Sequence, residues 1–309
     1  MLVPESEHQV MPIPPEPKRE QPSTYFVQDR ANRDELKRLQ LLDRTTTASM
    51  GGVLPEQPDP TMFRRVLDVG CGTGGWLIEL AQTLPDSTLL IGVDASHAFI
   101  EYAREQAVAA QVSDRVEFHV ADALRMLEFP SRFFDLVNHR FAASWLRTWD
   151  WPKLLQEYQR VARPGGVIRI TEGDTWVTKS PAHLSLFGVF VQAMYQSGHF
   201  FTPDSPGVNG ELVGLLQRHG LRQVQSRAYS LEYRTGTPEA QHFFENIRIS
   251  YQTVGPFLRK WTRVPDNYEA IYQQAIREMD QPDFMATWNL LTAWGTAPPL
   301  NEEPDDLIL

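Results

Sequence analysis

The 309-residue chain has almost no cysteine. Cys71 is the single one, so no disulfide can close within the chain, and no Cys/His cluster with zinc spacing occurs. Basic residues are outnumbered, with 29 Lys and Arg against 39 Asp and Glu, for a net charge of −10. A surface of that sign does not neutralise phosphates, so nucleic acid is not an expected partner. No run of about 18 apolar residues occurs, and no membrane span is expected. The first residues, MLVPESEHQVMPIPPEPKREQPS, lack the continuous apolar segment of a secretory signal. A cytoplasmic protein is therefore expected. The remaining balance, 42% hydrophobic and 22% charged, is that of an ordinary globular chain with one large domain or two small ones.

Prolines at 4, 12, 14, 15, 17 and 22 make residues 1–23 a poor helix and a poor strand, and a disordered tail is expected. In DRANRDELKRLQLLDR, Leu36, Leu39 and Leu42 recur at helical spacing among charges. TTTASMGGVLPEQPDP then reads as a break and a linker. From Arg65 short apolar runs alternate with helical stretches: RVLDVG, TLLIGVDAS, RVEFHVADA, FFDLVNHRF and VIRITEGD as strands, with helices between, the last of them KLLQEYQRVARPGG. Such alternation predicts βαβ units and a mainly parallel sheet with ligand sites at the carboxyl ends of its strands. Further on, HLSLFGVFVQAMYQSGHF and NGELVGLLQRHG read as helices and LRQVQSRAYSLEY as a strand. Residues 237–281 read as two helices, interrupted near Pro256 and again at Pro265, and MATWNLLTAWG as a final strand.

The stretch VLDVGCGTGGW at 66–76 carries the chemistry. Gly70, Gly72 and Gly75 satisfy G-x-G-x-x-G, a dinucleotide fingerprint that is weak alone. Asp68, Gly70, Gly72 and Gly74 satisfy a tighter acid-x-Gly-x-Gly-x-Gly reading. A pyrophosphate needs backbone N–H groups aimed at negative charge; an acid at the strand end instead suits the ammonium of a sulfonium amino acid. Asp68 alternatively caps its own loop. Asp94, ending the second strand, can accept from both ribose hydroxyls of a nucleoside, or else cap the following helix. Asp122 and Ala123, ending the third, can meet an adenine amino group and ring nitrogen, or else form a turn.

Taken in order, these strand ends resemble the class I S-adenosylmethionine-dependent methyltransferases of the small-molecule, methyltransferase-domain type. VLDVGCGTG is similar to their glycine-rich first motif, GVDAS to their ribose-binding acid and VADA to their adenine-binding acid. FFDLVNHR and VARPGGVIRI are similar to their fourth strand and the Pro-Gly-Gly strand after it, and LLTAWGTAP to their reversed last strand. The resemblance implies an α/β, Rossmann-like doubly wound sheet of seven strands with the last antiparallel. It implies a helical arm over residues 24–60 and a methyltransferase domain over 61–309, with the helices of about 237–281 as a cap inserted before the last strand. It also implies S-adenosyl-L-methionine as cofactor and S-adenosyl-L-homocysteine as product. The cofactor would be held by Asp68, Gly70, Cys71, Gly72, Gly74, Asp94, Ala95, Asp122 and Ala123, together with Asn138, His139 and Arg140. Tyr25 of the arm either faces the sulfonium pocket or anchors the arm to the core.

Methyl transfer is an in-line displacement in which the cofactor carries the activated group, so catalytic side chains can be few. His139 is the candidate base, with an ordinary pKa of about 6.5, or else it lines the cofactor. Glu172 either orients an acceptor or is a solvated loop carboxylate. His183, His199 and His219 read as surface or capping residues. Trp145, Trp176 and Tyr195 belong to an aromatic group after the fourth and fifth strands that suits a planar or greasy acceptor, or a packed core. The expected activity is methylation of a small, aromatic or hydrophobic metabolite at oxygen, nitrogen or carbon, in secondary or quinone-type metabolism. The expected partner is that acceptor, with no metal, nucleic acid or membrane, and the chain as monomer or homodimer. A member of the fold that binds the cofactor without transferring methyl, cyclase-like or regulatory, carries the same motifs. An NAD-dependent oxidoreductase would leave Asp68, Asp122 and Pro164-Gly165-Gly166 unexplained together.

Overall fold

The computed structural model describes residues 25–27, 32–86 and 88–299; the expected tail at 1–23 lies outside them. Along the chain run α1 (Arg33–Met50), β1 (Arg65–Val69), α2 (Gly75–Thr83), β2 (Leu89–Asp94), α3 (His97–Ala109), β3 (Val116–Val120) and β4 (Phe134–Arg140). There follow α4 (Trp151–Val161), β5 (Ala162–Gly173), β6 (Val177–Thr178), α5 (Pro181–Gln196), α6 (Asn209–Arg218) and β7 (Arg222–Arg234). The last elements are α7 (Pro238–Thr253), α8 (Gly255–Trp261), α9 (Tyr268–Met279) and β8 (Met285–Thr296).

β3, β2, β1, β4 and β5 pair in that order, all parallel. β8 runs antiparallel beside β5 and carries β7 on its other side. The strand order reverses between β1 and β4, which leaves a crevice at their carboxyl ends. The strands read as near-continuous apolar runs because both faces are covered. Leu67, Val69, Val137, Ile168 and Ile170 pack on the side of α4, against Leu154 and Tyr158. Val66, Leu90 and Leu136 pack on the other side, against Trp76, Leu77 and Leu80 of α2 and Ile100 of α3. A third cluster joins Leu231 and Tyr233 of β7 to Phe243, Phe244 and Ile247 of α7.

Four sequence expectations are corrected here. Among the described residues the sheet has eight strands, because Val177–Thr178 adds a short pairing to β8. α1 does not break at the threonines. Thr45, Thr46 and Thr47 are buried inside it, and it ends at Gly51, whose φ of +89° suits a residue without Cβ. Packing against α7 overrides the weak helix propensity of threonine. α4 stops at Val161, and the Arg163–Gly166 stretch is a bulge in β5 where its register on β4 shifts. Between Pro238 and Met279 there are three helices where two were expected, and the breaks between them fall near Pro256 and Pro265, with Pro256 at the start of α8.

Candidate active site

A cavity of about 370 Å³ opens at the carboxyl ends of β1, β2, β4 and β5. Asp68, Gly70, Cys71 and Gly72 form its floor, and Asp94, Ala95, Asp122 and Ala123 one side. Arg140, Trp145, Glu172 and Trp176 extend the wall, and Tyr25 reaches it from the N-terminal segment. Four residues expected at the site are not on that wall: Gly74, Asn138, His139 and Tyr195.

The glycine loop is pinned to β2, because the N–H groups of Gly70 and Cys71 both donate to the Val93 carbonyl, at 2.8 and 3.0 Å. Gly74 begins α2 with φ +77°, and a Cβ there would meet Phe118 at 2.6 Å. Its freedom thus serves helix packing, away from the cavity. Burial pushes the Cys71 thiol well up, which removes it as a nucleophile. Asp94 accepts from the N–H of Gly72 at 3.0 Å and of Ser96 at 2.9 Å. The cap of α3 is Ser96, whose hydroxyl accepts from the Phe99 N–H. Asp122 accepts from the Leu124 N–H at 2.9 Å, so it makes a turn and faces the cavity at once.

Asp68 is buried, and removal of water from its carboxylate pushes its pKa up to about 7, against the pull of the Asn138 amide and Arg140. Asn138 stands behind it, donating from Nδ2 to Asp68 Oδ1 at 2.7 Å. It therefore reaches the cavity only through Asp68.

His139 points the opposite way, because neighbours on a strand alternate faces. Its ring is fully buried against Trp151 and Tyr158 of α4, with Nδ1 2.8 Å from the Tyr158 hydroxyl. A base must come within hydrogen-bond reach of the proton it removes, and the expectation for His139 is corrected on that geometry. Tyr195 is 37% exposed on α5 and does not line the site. Glu172 is buried and not a solvated loop carboxylate; it accepts from the Ala142 N–H at 2.6 Å and holds the turn after β4. His183 and His199 are buried as well, against the expectation of surface positions. His183 donates from Nε2 to the Ala275 carbonyl at 3.1 Å, its Nδ1 lies 2.7 Å from the Tyr251 hydroxyl, and burial lowers its pKa to about 4.

Beyond the floor the cavity is aromatic. Trp176 meets Phe187 and Phe243 edge-on at 4.4 and 5.9 Å, and Phe141 stacks on Trp288 at 5.4 Å. The roof comes from α1 and α7, within the 24–60 arm and the 237–281 cap that the resemblance implied. Leu39 and Leu42 of α1 line the cavity, and so does Arg38, which forms a charged pair with the fully buried Glu35. There Arg38 donates to Glu35 at 2.7 and 2.8 Å and to the Tyr25 hydroxyl at 2.8 Å, and Tyr25 donates to Glu35. Arg38 also reaches Asn246 of α7 at 3.3 Å. Asp43, one turn after Leu39, pairs with Arg140 and accepts from the Trp76 N–H at the start of α2. The i,i+3 spacing of Glu35 and Arg38 is the one sequence signal for this arrangement.

Residues 66–166 match the methyltransferase domain family. The 27-O-demethylrifamycin SV methyltransferase of Amycolatopsis mediterranei is 25% identical over 273 residues, covering 86% of this chain and 84% of the relative. A demethylmenaquinone methyltransferase of Lactiplantibacillus plantarum is 38% identical over 184 residues, 60% of this chain and 71% of the relative. Among solved structures, the YcgJ protein of Bacillus subtilis superposes with a TM-score of 0.53 at 17% identity, covering 82% of this chain and 99% of that one.

Proposed function

The chain belongs to the class I S-adenosylmethionine-dependent methyltransferases, and from that premise we propose that it methylates a small, flat or greasy metabolite held against the aromatic part of its cavity. One observation carries the reading: the strand-end acids and the glycine loop share one cavity with the wall of Trp176, Phe243 and Trp288. The relatives named for demethylrifamycin SV and demethylmenaquinone support a small-molecule acceptor.

The fit to the cofactor rests on Asp68, a buried carboxyl on the cavity floor that ionises more readily once an ammonium sits against it. In this reading Asp94 takes the ribose hydroxyls, and Asp122 with Ala123 takes the adenine edge. Gly70 and Gly72 let the backbone approach, and Cys71 packs below. When bound, the cofactor supplies a methyl group activated on a sulfonium. The chain's own residues orient and enclose. Tyr25, Leu39 and Leu42 from the 24–60 arm, and Asn246 and Ile247 from the 237–281 helices, close the cavity over the 61–309 domain and exclude water. The aromatic wall, with Trp145 and Trp176, holds the acceptor in line with the methyl carbon. Glu172 shapes that wall through its grip on Ala142.

Calorimetry with S-adenosyl-L-homocysteine and NADH tests the donor, and incubation with methyl-labelled cofactor and a metabolite extract tests transfer. Saturable S-adenosyl-L-homocysteine binding and a labelled product are expected. Asp94→Ala should weaken binding roughly 10- to 100-fold, on the order of 1.5–3 kcal/mol for charge-assisted hydrogen bonds. Binding of NADH in place of S-adenosyl-L-homocysteine would overturn the donor. Tight binding with no labelled product would make the chain a cyclase-like or regulatory member of the fold.

A further inference from the structure

In-register pairing sets Asp68 of β1, Asn138 of β4 and Arg169 of β5 side by side across the sheet, on the face covered by α2. They form a polar row where the neighbouring positions Val66, Leu136 and Val167 are apolar. Arg169 Nη1 donates to Asn138 Oδ1 at 2.8 Å, and Asn138 Nδ2 donates to Asp68 Oδ1 at 2.7 Å. With an acceptor required on one side and a donor on the other, a single orientation of the Asn138 amide serves both. The far side of Arg169 is gripped by Glu56, with Nε 2.5 Å from Oε1 and Nη2 3.3 Å from Oε2. Glu56 lies in the linker between α1 and β1, and both side chains of the pair are 1% exposed. A buried pair of this kind recovers its desolvation cost only in part, and apolar residues of similar volume are often as stabilising. Stability is therefore a weak reason for an Arg–Glu pair at this place. A row ending at the cavity floor is a better one.

We propose that Glu56 and Arg169 are positioning residues for the amino-acid end of the cofactor: through Asn138 they orient the Asp68 carboxylate and set the charge it feels. The proposal rests on the reading that Asp68 receives the cofactor's ammonium. Arg169 favours the ionised Asp68, and Glu56 offsets part of that charge. The other groups facing Asp68 are Arg140 of β4, Asp43 of α1, the Cys71 thiol of the loop and the Tyr158 hydroxyl of α4. All four stay the same when Glu56 or Arg169 is changed. The linker thereby acts on the cofactor pocket without touching it.

The opposite signs of the two charges give the test. S-adenosyl-L-homocysteine affinity of the full chain is measured by calorimetry between pH 5.5 and 8.5. For the wild type, affinity falls as Asp68 takes up a proton. Glu56→Gln leaves the Arg169 charge uncompensated and should move the midpoint of that fall to lower pH. Arg169→Met should move it to higher pH, each by on the order of one pH unit. Loss of packing alone weakens binding by one factor at every pH and leaves the midpoint in place. Should Arg169→Met not fold, Glu56→Gln against the charge-conserving Glu56→Asp, which should keep the wild-type midpoint, carries the test. Midpoints that stay put or move in the same direction overturn the proposal and leave the donor assignment standing. A wild-type chain that binds no S-adenosyl-L-homocysteine at any pH overturns the donor assignment as well.

Discussion

An aspartate in water is ionised above about pH 4, whereas Asp68 is held protonated up to about 7 by burial at the end of β1. The folded chain therefore binds a proton that the unfolded chain has lost, and stability falls as pH rises from about 4 to 7. Asp68→Asn removes that titration. Its stability relative to wild type should climb over the same window and level off above about pH 7, as urea midpoints at successive pH values would register. The same variant should bind S-adenosyl-L-homocysteine more weakly at pH 8, because it carries no charge for an ammonium. A variant less stable than wild type at pH 8 would argue that the carboxylate is already well compensated without ligand. His139 gives the contrary lesson at this scale. One step along β4 from Asn138, it faces α4 and not the cavity, so the parity of a strand decides which polar residue serves the site.

The element that changes most between pattern and structure is α1. Its leucines recur at helical spacing among charges, yet the buried residues include Glu35, Arg38, Thr45, Thr46 and Thr47. Leu39 and Leu42 instead line the cavity. The helix is fastened by the Tyr25–Glu35–Arg38–Asn246 network, which ties the N-terminal segment to α7. Glu35→Ala leaves a buried guanidinium without its carboxylate and should cost about 3–5 kcal/mol in urea unfolding. A Glu35→Met, Arg38→Met double variant should recover much of that loss. Additive single effects would show that the pair is not coupled. α4 and the Pro-Gly-Gly bulge teach a smaller point: Gly166 approaches the Phe134 carbonyl so closely that a Cβ would lie 2.9 Å from it, so it serves strand packing, whereas Gly165, with φ +72° and open space around it, serves the turn.

For the molecule as a whole, the cavity is assembled from parts distant in the chain: Tyr25 and α1, the ends of the first five strands, and α7. Ligand bound there should stabilise all of them together. S-adenosyl-L-homocysteine is expected to slow amide hydrogen exchange in α1 and α7 as well as in the glycine loop. Protection confined to the loop and strand ends would mean that the roof does not close on the cofactor.

The parallel sheet, its order of helices and the acids at the ends of β1, β2 and β3 were legible in the sequence. They depend on local periodicity and on glycines and carboxylates at fixed offsets, which short-range physics ties to the turn after each strand. The proposed donor side of the site followed from those features. The contacts of the roof did not, although the resemblance implied an arm and a cap there, because Arg38 with Asn246 and Asp43 with Arg140 lie far apart in sequence, and no periodicity links such partners. Nor did the Glu56–Arg169–Asn138 row, which exists because strand register aligns β1, β4 and β5. By itself the sequence determined the fold class and the cofactor family. The tertiary structure alone decided which polar residues face the cavity, because strand parity, register and the packing of α1 and α7 direct each side chain only once the chain has closed.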